Sequence, residues 1–379
     1  MRHFGCKFLP HPLPLPRREG GSGASRAAEA RSPLIGGGAG GGVALGLLFF
    51  FACQTQIPEN QVFVNAEQTA LRAAPSEKSR ELAALKNGQA LRELGEVSRT
   101  ESRLRLGEAL FQTPWLKVQT TDGLVGWAFA GALRPAADHA DWLLQKRLEC
   151  YFGPALAARR NAWAAAPAPT GEQQFADHWR EAVALRDTLL HTLGSRPEPD
   201  FQPDFEWLRA VLPGFVFQKV AEGTRPWLFA DYRFWQQKAL KTNGLQDDAL
   251  LEACLAAFPQ DSIESFFPAW QFQYSDYESA SQLGSGAHLQ MLLQIDRAAQ
   301  NGTIFAPELA ALKEQLLDDI LQNTRYWQSK EKVLTELGQI FKDRPNCLSE
   351  RDYDALAIRQ PMFEDPTAHG LRLNLRTGE

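Results

Sequence analysis

The chain has 379 residues, 44% of them hydrophobic and 10% aromatic, and carries a formal net charge of −5. This much apolar and aromatic material excludes a wholly disordered polymer, and the length admits two or three domains. The acidic balance argues against a phosphate-tracking nucleic-acid binder, which would need a basic face.

Residues 1–42 are rich in Gly, Pro and Arg and end in Gly36-Gly37-Gly38-Ala39-Gly40-Gly41-Gly42, a composition that cannot bury a face. Val43 to Ala52 is then an apolar run of ten residues, too short to span a bilayer but of the length of an export-signal core. The small residue Ala52 stands directly before Cys53. Leu48-Phe49-Phe50-Phe51-Ala52-Cys53 resembles the lipobox of bacterial lipoproteins, with Phe50 and Phe51 departing from its usual Leu and small residue. The resemblance implies that residues 1–52 are a leader that is removed, and that Cys53 is acylated and holds the chain to membrane lipid. Each buried methylene of an acyl chain contributes about 0.8 kcal/mol to such anchoring. Gln54, where an inner-membrane lipoprotein would carry Asp, implies the outer membrane. So long a leader is unusual, and translation is expected to start nearer Val43. Residues 1–52 hold six basic and two acidic side chains, so the mature chain would carry −9.

Residues 53–60 read as a polar tether. From Gln61 the hydrophobic period is two: Val62 and Val64, then Leu71, Leu82 and Leu85, the turn Asn87-Gly88, and Leu91. A polar insertion, Glu96 to Thr113, is expected to be a long loop. Trp115-Leu116-Lys117-Val118, the turn Asp122-Gly123 and Val125-Gly126-Trp127 follow, ending at Leu133-Arg134-Pro135. Five short strands with turns between them predict a small all-β barrel over 61–135. Leu71-Arg72-x-x-Pro75-Ser76, Leu85-Lys86-x-Gly88, Trp115-x-Lys117-Val118, Asp122-Gly123-x-x-Gly126-Trp127 and Leu133 together resemble the bacterial SH3 domain in order and approximate spacing. The resemblance implies an SH3-like barrel that binds peptidoglycan peptides or a protein, or serves as a spacer. Trp115, Trp127 and Asp122 are its candidate binding residues, although packing is the commoner role of a Trp in so small a fold.

From Ala137 the period lengthens to 3.6. Trp142, Leu143 and Leu148 begin it, and Ala155 to Pro169 is expected to be a surface loop. Helices are predicted along Phe175 to Leu193 with Gly194 closing, Asp204 to Leu212, Pro226 to Leu240, Leu250 to Phe258, Ser279 to Ala299, Pro307 to Trp327 and Val333 to Phe341. A last one is predicted after Ser349, and Asp261 is expected to cap a short helical turn. Residues 137–379 therefore read as one all-α domain, larger than the barrel, with about eight to ten helices and no internal repeat. Cys150, Cys254 and Cys347 permit at most one disulfide and match no zinc spacing.

One stretch gathers chemistry-bearing residues: Glu264, Trp270, Tyr274, Asp276, Gly284-Ser285-Gly286 and His288. Glu264-Ser265, with Gly286-Ala287-His288-Leu289-Gln290-Met291 downstream, is similar to the soluble lytic transglycosylases, although the spacing is longer and the helix before the Glu shorter. That likeness would make Glu264 a general acid, kept protonated by an apolar setting. A metal site at Glu264, Asp276 and His288 lacks ligand spacing, and the glycine turn lacks a phosphate-loop Lys. The bland account is a structural turn with Trp270 and Tyr274 packed on neighbours. The expectation is thus a lipid-anchored, non-catalytic envelope protein with no cofactor, whose partner is peptidoglycan or an envelope protein. Trp270, Tyr274, Asp276 and His288 are its candidate binding residues outside the barrel, and a peptidoglycan-acting enzyme using Glu264 is the alternative.

Overall fold

The computed structural model describes residues 60–136, 141–196, 201, 203–220, 223, 225–274 and 278–375. The expected leader over residues 1–52, Cys53, the expected tether as far as residue 59, and Asp276 lie outside the described residues. No described helix is long and apolar enough to cross a membrane.

Seven strands form one antiparallel sheet: β1 Gln61–Val64, β2 Gln68–Arg72, β3 Glu81–Lys86, β4 Ala90–Leu106, β5 Ala109–Thr120, β6 Val125–Phe129 and β7 Leu133–Pro135, in the order β3-β2-β6-β5-β4-β1-β7. Alternate residues turn inward, as period two requires, so Val62, Val64, Leu71, Leu85, Leu91, Leu116, Val118 and Ala128 share a core. The expected long loop is absent. Glu96–Thr113 instead extends β4 and β5 into a hairpin well beyond the rest of the sheet, paired as far as Leu106 opposite Ala109. Leu104 and Leu106 alternate with Arg103 and Arg105 before a turn in which Gly107 takes φ 59°. That alternation is a strand signal that the polar composition masked.

The hairpin is bent by two irregularities. Between Glu93 and Val97, and again between Val97 and Glu101, β4 advances four residues while β5 advances two. Extra residues on one strand bend it and strengthen its twist. Pro114, which has no N–H to give a ladder, sits where the second irregularity ends. There Ser98 Oγ takes the Trp115 N–H at 2.9 Å and donates to Thr100 O at 2.6 Å, so the disrupted ladder leaves those groups satisfied.

Eight helices follow among the described residues: α1 Trp142–Ala164, α2 Glu172–Gly194, α3 Tyr232–Ala239, α4 Gln246–Ala257, α5 Ala287–Gln300, α6 Ala306–Gln322, α7 Lys330–Asp343 and α8 Glu350–Arg359. The expectation of an all-α domain is corrected by two hairpins, β8 Phe215–Val220 with β9 Arg225–Ala230, and β10 Gln271–Gln273 with β11 Ser279–Ser281. Pro226 to Leu240, predicted as one helix, is a strand in its first half. The helix begins only after Asp231, whose carboxylate caps the Arg233 and Phe234 N–H groups at 3.0 and 3.1 Å. Similarly, Ser279–Ser281 is a strand and α5 starts at Ala287. Of the expected loop from Ala155 to Pro169, the part up to Ala164 is helix and only residues 165–169 lie outside it. Gly153, at φ 77°, kinks the chain and Pro154 opens the second segment, where its missing donor costs little. The short Asp204–Leu212 element is a single 3-10 turn, Glu206–Ala210.

Candidate functional site

A cleft of about 280 Å³ lies between β2 and β3 on one side and the outer part of the β4–β5 hairpin on the other. Ala70 and Ala84 stand opposite each other in the β2–β3 ladder and both line it, which keeps the trough open. Gln68 and Thr69 flank them, Arg72 with Glu77 and Glu81 mark an end of mixed charge, and Leu104, Arg105 and Leu106 supply the hairpin wall. Trp115 is the floor. It is only 2% exposed, its ring sits edge-on to Phe129 at 5.5 Å, and its Nε1 donates to Ser102 Oγ at 2.8 Å. No ring face is left for a ligand to stack on, so Trp115 shapes the cleft by packing. Arg72 is partly committed, donating to Ser79 O at 2.7 Å.

Residues 67–134 match the family model of the bacterial SH3 domain. The match takes in β2 to β6 and leaves most of the 379-residue chain outside it. No curated protein and no solved structure matches the chain. The match supports a binding role for the SH3 domain, since such domains commonly bind peptidoglycan or proteins. Its two other sequence-predicted binding residues stand apart from the cleft lining. Trp127 is half-buried on β6, opposite Lys117 and Arg72, and Asp122 accepts a short hydrogen bond from Thr120 within its turn. The cleft-lining Leu104, Arg105 and Leu106 went unrecognised because they lie in the stretch expected to be loop.

The stretch from Glu264 to His288 does not converge on one centre. Glu264 Oε2 lies 2.6 Å from Arg186 Nη1 and also accepts the Ala230 N–H at 3.1 Å. The apolar surroundings required of a general acid are therefore replaced by a guanidinium partner. No helical turn forms here. Asp261, Ser262, Ser265 and Phe267 all take positive φ, between 45° and 63°, and the loop is pinned by a bridge from Ile263 to Asp231. Trp270 is core, packed at 5.7 Å on Phe258. Tyr274 is 36% exposed beside Trp327, centroids 6.0 Å apart.

His288 is fully buried, with Nε2 2.9 Å from Asp319 Oδ2, while its buried Nδ1 has no hydrogen-bond partner. Burial alone would raise the Asp319 carboxyl, but hydrogen bonds from His288, Ser281 and Gln271 outweigh it and hold that group below its ordinary range. The glycine turn before α5 has the shape of an anion cradle and is already filled by Glu336 of α7. That buried carboxylate takes the N–H groups of Gly284, Gly286 and Leu289 at 2.5, 2.9 and 3.0 Å. Sequence spacing could not show this, because Glu336 is about 50 residues away. Among the described residues no group of three or more His, Cys, Asp or Glu side chains is placed to hold a metal. Cys150, Cys254 and Cys347 are free thiols.

Proposed function

We propose that the protein is a lipid-anchored envelope protein that binds rather than catalyses, taking an extended peptide of the cell wall or of an envelope partner in the SH3 cleft. The observation that carries this is the cleft itself, a trough over Ala70 and Ala84 with both signs of charge at its rim. Backbone amides of a ligand would meet Gln68 and Thr69, a carboxylate Arg105, and an ammonium Glu77 or Glu81. The anchor would be acyl chains on Cys53, in the outer membrane on the strength of Gln54, with the tether holding the domain close to the lipid surface.

Retention of the full chain on purified sacculi tests the binding role. Ala70→Trp, which fills the trough, is expected to release the chain into the supernatant, and retention unchanged by Ala70→Trp would move the binding surface elsewhere. Incubation with peptidoglycan is expected to release no muropeptides, and release abolished by Glu264→Gln would overturn the non-catalytic assignment. Cys53→Ser is expected to shift the chain from the membrane to the soluble fraction.

A further inference from the structure

The hairpin that walls the cleft also carries the helical region. Neighbouring residues of β4 point in opposite directions, as a strand demands. Ser102 bonds the floor residue Trp115, and Leu104 lines the cleft. Glu101 instead meets Arg147 Nε at 3.0 Å and Tyr151 Oη at 3.0 Å, both on α1, and Arg103 lies 5.0 Å over the Phe201 ring. Gln112, across the ladder from Arg103, donates to Glu101 at 2.6 Å, accepts the Asp204 N–H at 2.9 Å, and offers its carbonyl to Arg147 at 2.6 Å. Arg196, just past the end of α2, reaches the Arg99 carbonyl.

The two irregularities on either side of Val97 separate this outer hairpin from the rest of the sheet, and Gly95 between Glu93 and Val97 takes φ 76°. Val97 packs against both the sheet core and the helical core. A bulged strand gives a rigid arm a place to turn, and here the arm holds the cleft wall on one face and the joint on the other.

We propose that the β4–β5 hairpin couples the cleft to the helical region, so that a ligand seated against Leu104–Leu106 strengthens the joint at Glu101, Arg147 and Tyr151. By linkage, loosening that joint weakens the cleft to the same degree. The ligand half of the statement rests on the cleft being the binding site, whereas the mechanical half does not.

Hydrogen exchange of the full chain without ligand tests the mechanical half. Arg147→Met and the milder Tyr151→Phe, which removes one hydroxyl, are expected to speed exchange of amides 102–106 and 68–72 by about tenfold and a few-fold respectively. Arg159→Ala, which breaks the exposed Arg159–Glu181 pair elsewhere on α1, serves as control and should leave those amides unchanged. Faster exchange confined to α1 in both joint variants would overturn the coupling, even if one of them is broadly destabilised. Retention on sacculi then tests the ligand half. Weaker retention of Tyr151→Phe than of the parent chain supports it, and equal retention sinks it. A parent chain that sacculi do not retain fails as a wall binder, while the exchange result still decides the coupling.

Discussion

Arg147 Nε and Glu101 Oε1 meet at 3.0 Å across the joint between α1 and the β4–β5 hairpin, with the Glu101 side chain wholly shielded and that of Arg147 half-buried. The pair joins an SH3 domain to a helical region whose own core is separate from it. Removing Glu101 takes away the charge partner of Arg147 and the acceptor of Tyr151 and Gln112 together. Glu101→Ala is therefore expected to cost roughly 3 kcal/mol in urea unfolding. Glu101→Gln, which keeps one acceptor oxygen for either Arg147 or Tyr151, should cost less. Equal losses for the two would show that the full carboxyl with both its oxygens, not side-chain shape, carries the joint.

The same carboxyl sets a pH dependence. Burial pushes Glu101 above its ordinary value of 4.5, with hydrogen bonds from Gln112 and the charge of Arg147 offsetting part of the rise. A raised folded value means that the folded chain holds this proton more tightly than the unfolded one. The contribution is full below about pH 4.5 and is lost as pH rises through the higher folded value. Stability measured from pH 4 to 7 should fall less in Glu101→Gln than in the parent chain.

Asp319 behaves in the opposite sense. Its folded value lies below the ordinary 3.8, so its contribution is present above that pH and disappears as pH falls through the depressed value. Asp319→Asn should lower stability at pH 6 and narrow the difference between pH 6 and pH 3. An unchanged difference would mean that the buried His288 pair does not govern the acid limb.

Glu336 holds three N–H groups at the entry to α5. Glu336→Ala leaves these donors without their acceptor and is expected to destabilise the chain by about 3 kcal/mol, with Glu336→Gln intermediate. A loss within about 0.5 kcal/mol, the range of ordinary surface changes, would refute the capping role.

Cys150, Cys254 and Cys347 are pushed up to about 12, in each case chiefly by burial. Only the thiolate attacks a disulfide reagent. A chain beginning at Gln54 should therefore react slowly with a thiol reagent while folded and release three equivalents once unfolded. Fast reaction of the folded chain would indicate that α1, α4 or the turn between α7 and α8 opens readily.

The sequence by itself determined the inward faces of the sheet, because Val62, Val64, Leu71, Leu116 and Val118 recur at a spacing that only a strand satisfies, and turns such as Asn87-Gly88 allow few backbone conformations. It also determined the long helices, where Leu309, Leu312, Leu316 and Ile320 mark one face of α6. Short aromatic strands such as Phe215–Val220 escaped, since an apolar run of that length fits a buried helix or a strand equally well until its partner is known. What only the tertiary structure decided are the pairings between distant residues. Glu264 meets Arg186 across 78 positions, His288 meets Asp319, and Glu336 fills the glycine turn before α5. The insertion from Glu96 to Thr113 gained its meaning in the same way. Its alternation is local, but only the fold sets one face against Trp115 and the other against Arg147, because which surface covers a strand is decided by everything packed around it.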